Sequence, residues 1–239
     1  MISQSVIQSL AQKLQSTELN IQREYIQNLF LSYFYQQPDS NKIFFKGGTA
    51  LRIIYQSPRF SEDLDFSSTK TAIKKIEDIV IHTIGEIERE GINVDIKESK
   101  KTSGGYLAII HFFLNNQEIA IQLEISQRER VNKGELTTVV NDFIPPYTLV
   151  TLSQDQLISE KVQALLTRQK ARDFYDLYYI LRANLLSTKD KGILEKVLIL
   201  LSKTNILFEQ ELKIFLPKSH WSIVRNFKKT LEQEIKRTI

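Results

Sequence analysis

Within one stretch, Phe44 to Ser67 (FFKGGTALRIIYQSPRFSEDLDFS), the chain runs through strand, glycine break, helix and strand again, and few folds accept that order. Ile43, Phe44 and Phe45 form a short apolar, aromatic run that reads as a buried strand. Gly47-Gly48-Thr49 interrupts it where a helical segment, Ala50 to Tyr55, begins. Free backbone N–H groups at such a start, with the positive end of the helix dipole behind them, form an anion site, and glycines let a phosphate come close to the main chain. Thirteen residues separate Thr49 from Asp63, where Asp63-Leu64-Asp65-Phe66 alternates acid with apolar. On a strand, both carboxylates then share one face and Leu64 and Phe66 the other. Neighbouring carboxylates repel unless a cation lies between them. Mg²⁺, or Mn²⁺ in its place, suits such a pair, because it takes oxygen ligands and binds through one or two carboxylates plus substrate phosphates. Alone, Asp-x-Asp also describes a solvated strand end; the fixed order of several residue types narrows the choice.

The rest of the chain supplies a frame for this stretch. Ile2, Val6, Leu10 and Leu14 fall on one helical stripe and Ile21, Tyr25, Leu29 and Tyr33 on another, so Ile2 to Gln36 reads as two packing helices. Ser67-Ser68-Thr69 offers an N-cap for a helix from Thr71 to Glu90, ending at Gly91. Three strand-like runs follow, Ile92 to Ser99, Tyr106 to Leu114 and Glu118 to Ser126, with turns at Ser103-Gly104-Gly105 and Asn115-Asn116. With the first two strands they make one mixed sheet. On the last run Ala120, Gln122 and Glu124 share a face opposite Ile119, Ile121, Leu123 and Ile125. Glu124 is thus an acid on a strand whose other face is wholly apolar, either solvated or part of a site.

From Arg128 to Val150, charge, Gly134 and Pro145-Pro146 suggest a long connection with little regular structure. The division expected is a sheet lobe with N-terminal helices over 1–146 and a helical lobe over 147–239. Ser153 is a plausible N-cap for a helix with Ile158, Val162, Leu165 and Leu166 as its core stripe and Lys161 and Arg168 two turns apart. The next helix, Ala171 to Ala183, puts Asp173 and Asp176 on one face after Arg172. These charges read equally as a solvated face of ion pairs. Helices are expected again over Ile193 to Leu201, Leu207 to Leu216 and from Lys218 onward, after a remainder that begins at Lys191. The last carries Lys218, Arg225, Lys228, Lys229, Lys236 and Arg237 against Glu232 and Glu234, a candidate RNA-facing patch.

Composition sets outer limits. At 239 residues the chain can bury a sizeable core, and with no cysteine it has neither disulfides nor thiolate metal sites. Net charge +4 favours a polyanionic partner. No run of about 18 apolar residues and no signal-like start occur, so a cytoplasmic chain without membrane association is expected. His82, His111, His220 and the lone Trp221 lack metal-ligand spacing and read as structural.

The Gly-Gly pair followed by Asp-x-Asp resembles the nucleotidyltransferase signature of the DNA polymerase β superfamily. More narrowly, KGGTALRIIY with RFSEDLDF looks like the AbiEii/AbiGii toxin family of abortive-infection and toxin–antitoxin systems. EKVQALLTRQKARDFYDLYYIL is similar to the family's C-terminal motifs. The resemblance implies an α/β (α+β) fold, a minimal nucleotidyltransferase mixed sheet plus a helical C-terminal lobe. It implies that Asp63, Asp65 and Glu124 hold the metal, with Glu124 as general base or aid to a second metal, and that Gly47, Gly48 and Thr49 cradle the phosphates of a nucleoside triphosphate. Lys161 would contact the triphosphate as a fourth catalytic residue. Arg168, Arg172, Asp173 and Asp176 would complete the nucleotide site, the aspartates either anchoring Lys161 and nearby arginines or touching the base. A growth-arresting toxin that modifies RNA, with the tRNA acceptor end as leading target and an antitoxin encoded beside it, is the implied role. The competing readings are transfer to a protein or small molecule, and a catalytically inactive binding protein.

Overall fold

The computed structural model describes residues 1–69, 71–127, 134–187 and 192–239. It divides the chain into two compact units: Met1–Gln56 with Phe60–Leu152, and Ser57–Arg59 with Ser153–Ile239.

The first unit is a seven-stranded mixed sheet carrying helices. It opens with α1 (Gln4–Lys13) and α2 (Glu18–Phe34), capped by the Ser3 and Thr17 hydroxyls, which accept the N–H groups of Val6 at 3.4 Å and Asn20 at 3.2 Å. In α1 the buried stripe is Ile7, Leu10 and Ala11, and Val6 is 43% exposed, so the face expected through Ile2 and Val6 is displaced by one residue. Ile2 precedes the first turn and cannot set the stripe. The strands are β1 (Ile43–Lys46), β2 (Leu64–Ser68), β3 (Asn93–Thr102), β4 (Gly105–Leu114), β5 (Gln117–Ser126), β6 (Gly134–Val139) and β7 (Tyr147–Leu152), ordered β3-β4-β5-β2-β1-β7-β6. β1 runs antiparallel to β2 and parallel to β7, and β2 parallel to β5. Between β1 and β2 lies α3 (Gly47–Ile53), and after β2 comes α4 (Ile73–Arg89). One sheet face packs as dry core: Phe45, Phe66, Ile121 and Leu123 are buried, and Phe34 of α2 stacks on Phe66 at 5.2 Å.

Three expectations change here. Ser67 and Ser68 are buried at the end of β2 and do not occupy the cap position; α4 starts two residues later than expected, at Ile73, with Ala72 at its cap position and no side-chain cap. Gly47 and Gly48 lie inside the first turn of α3, not in a loop before it. The connection expected to lack regular structure contains β6 and β7, and its first part, 128–133, lies outside the described residues, as does Lys191. β7 is fixed by pairing Thr151 with Phe45, and the Tyr35 hydroxyl lies 2.8 Å from the carbonyl oxygens of both Ile43 and Val150, its one proton shared between them, stitching β1 to β7. Because Tyr147–Leu152 completes the sheet, the chain passes between units at 152/153 and not at 146/147.

The second unit holds α5 (Gln154–Arg168), α6 (Ala171–Arg182), α7 (Leu194–Lys203), α8 (Phe208–Leu212), α9 (Trp221–Arg225) and α10 (Phe227–Thr238). The helix expected over Leu207 to Leu216 tightens into a 3-10 turn at Lys213–Phe215, and the one expected from Lys218 breaks at Asn226. Its core gathers Phe174, Tyr175, Leu201, Leu212 and Leu231 around Phe208 and Phe227, whose rings lie 5.0 Å apart. No described helix is long and apolar enough to cross a membrane.

Candidate active site

The acidic face of the first unit follows from strand register. β1 pairs Lys46 with Asp65, and β2 pairs Asp65 with Glu124. Directly paired residues share a face on strands about 4.8 Å apart, so the three side chains form one row across the sheet. Leu64, Phe66, Leu123 and Ile125 occupy the opposite, buried face, which leaves Asp65 half-buried and Glu124 exposed. The expected alternation is present from Leu64 to Phe66 and along Ile119 to Ile125, with Asp63 one residue before the strand.

Gly47 sits against this row. Its φ of +82° is open to glycine and strained for other residues, and a Cβ there would fall 2.1 Å from Asp65 Oδ2. The Asp65 carboxylate therefore rests directly on the start of α3. Gly48 and Thr49 are buried, and the Thr49 hydroxyl donates to the Asp63 carbonyl, fixing the residue just before β2. Of the expected phosphate cradle, the Thr49 side chain is thus committed to the fold. α3 is held in turn by Arg52, whose Nη2 donates to Glu24 Oε2 at 3.0 Å and whose guanidinium lies 4.0 Å from the Phe60 ring centre.

Among the described residues, no group of three or more His, Asp or Glu side chains is gathered for a metal. The three-ligand set expected from Asp63, Asp65 and Glu124 is therefore not assembled as a cluster, because Asp63 lies one residue before β2 while the register couples only Asp65 to Glu124. Carboxylate oxygens beside a glycine at a helix start still fit Mg²⁺, which keeps most of its waters and needs one or two protein ligands.

In the second unit each expected charge has a defined place. Asp173 is consumed by the α5–α6 turn: Oδ1 accepts from Arg168 Nη2 at 2.7 Å and Oδ2 from the Lys170 N–H at 3.1 Å. Asp176 Oδ2 accepts from Lys161 Nζ at 2.8 Å. Arg172 is half-buried one turn before Asp176 on α6. A participant not foreseen is Arg59, which donates from Nε to Asp176 Oδ1 at 2.7 Å and from Nη2 to Oδ2 at 3.0 Å. Burial alone would raise the Asp176 carboxyl, but the charges of Arg59 and Lys161 and their hydrogen bonds outweigh it and hold its pKa at about 2. Arg59 stands in RFSEDLDF, so its residue type was in view, but nothing local names a partner so far along the chain.

The chain thus combines a glycine-backed carboxylate row on a mixed sheet with a network of Lys161 and Asp176 on helices and Arg59 in the bend before β2. The family model described as nucleotidyl transferase AbiEii toxin, type IV toxin–antitoxin system, matches residues 29–222. The chain belongs to the AbiEii family. This AbiEii chain is accordingly a nucleotidyltransferase and the toxin of a toxin–antitoxin pair, which brings a nucleotide substrate and an antitoxin partner. Solved structures share its fold. JHP933 from Helicobacter pylori superposes with a TM-score of 0.63 at 20% identity, over 93% of this chain and 96% of that one. MenT4, a nucleotidyltransferase toxin from Mycobacterium tuberculosis, gives 0.63 at 17% identity, over 99% and 93%. A search of curated protein sequences returns no match.

Proposed function

We propose that this AbiEii chain moves a nucleoside monophosphate from a nucleoside triphosphate to an RNA hydroxyl, with the 3′ end of tRNA as leading acceptor, and releases pyrophosphate. The observation that supports this most is the pairing of Asp65 with Glu124 beside Gly47. Asp63 and Asp65 would hold Mg²⁺, which would neutralise charge at the phosphates. Glu124, exposed and one strand away, accepts the proton of the acceptor hydroxyl at its carboxylate. That oxygen bonds to the α-phosphorus as the bridging oxygen to the β-phosphate departs in line with pyrophosphate. Thr49 anchors the main chain at Asp63, and the bare backbone at Gly47 leaves room for the Asp65 carboxylate against the start of α3. In the helical unit Lys161 is the cation for the triphosphate.

RNA as acceptor is supported by the basic end of the second unit. Lys236 and Arg237 pair with Glu232 and Glu234, and Lys228 donates to the Ser202 and Thr204 carbonyls, which removes them from the patch, but exposed Arg225 and Lys229 line a cavity of about 430 Å³. Phosphate contacts from such side chains supply sequence-independent affinity.

Incubating the protein with each α-labelled nucleoside triphosphate, Mg²⁺ and bacterial RNA is expected to label RNA; label on polypeptide or on a small molecule instead would reassign the acceptor. Gly47→Ala, which drives a Cβ into Asp65, is expected to lower transfer by about 100-fold or more. Transfer by that variant at the parent's rate would remove the carboxylate row from the mechanism.

A further inference from the structure

Arg59 lies on Ser57–Arg59, three residues that belong to the helical unit although the chain on either side belongs to the sheet unit. Its side chain is 4% exposed and grips Asp176 with two donors, while Lys161 shares Oδ2 of the same carboxylate. Asp176 is 2% exposed and Lys161 11%, so of the three groups Lys161 reaches solvent most. Asp173, the other buried acid of α6, has both oxygens engaged by Arg168 and the Lys170 N–H.

Asp173 also acts on Arg59 but is itself paired with Arg168, so Arg59, Lys161 and Arg168 together carry one charge more than Asp173 and Asp176. A buried surplus of that kind is unfavourable unless an anion completes it, and the cation with access to an anion is Lys161. Had Lys161 alone faced Asp176, the pair would be neutral and a phosphate would have to compete with the aspartate. Arg59 weakens that competition: its positive charge already offsets the Asp176 carboxylate, to which it donates at both oxygens, so Lys161, though it also touches Oδ2, is held there less tightly.

We propose that Arg59 is a positioning residue for nucleotide binding: by engaging Asp176 it keeps the charge of Lys161 available to the triphosphate. This rests on the reading that Lys161 binds the triphosphate, and it gives a task to a side chain that no motif reading assigned.

The test compares the parent with Arg59→Lys, Arg59→Gln and the double variant Arg59→Gln with Asp176→Asn. Affinity for Mg²⁺ with a nucleoside triphosphate is measured by calorimetric titration, KM and kcat by label transfer, and folding by thermal melting. Arg59→Gln is expected to weaken binding about tenfold or more, the size of one charge-assisted hydrogen bond, and to raise KM with kcat little changed. Arg59→Lys keeps the charge count and is expected to stay within about threefold of the parent. The double variant restores one uncancelled cation and is expected to bind better than Arg59→Gln alone. A purely structural arginine would lower the melting temperature in both single variants and leave affinity untouched, which would overturn the proposal. Equal loss of affinity in Arg59→Lys and Arg59→Gln would overturn it as well. Should Arg59→Gln not fold, the double variant decides: affinity near the parent's supports the proposal, and a tenfold loss overturns it. A parent that binds no triphosphate would instead sink the reading of Lys161 on which this rests.

Discussion

Arg52 and Arg59 stand on the same short stretch and both sink into buried carboxylates, yet they leave opposite electrostatic conditions behind. In the sheet unit a single arginine, Arg52, pairs with Glu24 at 3.0 Å, with side chains 13% and 12% exposed. Burial dominates there and raises the Glu24 carboxyl above its ordinary range in spite of Arg52. In the helical unit Arg59 shares Asp176 with Lys161, and two cations overcome a still deeper burial to hold that carboxyl at about 2. The difference is one of stoichiometry. The Arg52–Glu24 pair fastens α3 and its Gly47 to α2, whereas under the proposal above the Arg59–Asp176–Lys161 group keeps charge in reserve for a ligand.

Several substitutions break this contrast in graded steps. Asp176→Asn strands two cations in a buried setting and is expected to cost about 3–5 kcal/mol in denaturant unfolding. Glu24→Gln leaves one partly solvated arginine that can still donate to the amide and lies over Phe60, so a loss of about 1–3 kcal/mol is expected. Equal losses at the two positions would mean that charge stoichiometry has no energetic consequence.

The pH dependence offers a subtler separation. Asp176 has a folded pKa below its unfolded value near 3.9, so the unfolded chain binds more protons between them; its contribution is present above about pH 4 and is lost as pH falls towards 2. Glu24 is raised on folding, so the folded chain binds more protons, and its contribution weakens as pH rises from the unfolded glutamate range, near 4.3, towards the folded value. Comparing acid unfolding of the parent with each variant should show Asp176→Asn flattening the rise in stability above pH 2 and Glu24→Gln removing a fall. Slopes of the same sign in both variants would contradict the contrast.

Much of the sheet unit was legible because its signals are local. Gly-Gly-Thr and Asp-x-Asp are tied to strand and helix edges by residue type, and the alternation of Ile119 to Ile125 put Glu124 on the face that register then matched to Asp65. β6 and β7 escaped because Pro145-Pro146 reads as a linker, while what makes Tyr147–Leu152 a strand is a partner, β1, a hundred residues away. Displacement of the α1 stripe by one residue has a similar origin, since the register of a short helix is set by what it packs on. The duties of Asp173 and Asp176 were left open in sequence because both acids share a helix face; only contacts separate a turn-capping carboxylate from one shared by Lys161 and Arg59. Arg59 was readable as a residue and unreadable as a partner, since 117 positions lie between it and Asp176.

All of this assumes that the carboxylate row in the sheet unit performs the chemistry. The most direct measurement is single-turnover transfer from an α-labelled nucleoside triphosphate to RNA by Asp65→Asn, a substitution that keeps size and the contact with Gly47 while removing the charge. A fall of about 100-fold or more with an unchanged melting curve is the expected result. Transfer within a few-fold of the parent would contradict it and move the catalytic centre elsewhere in the chain.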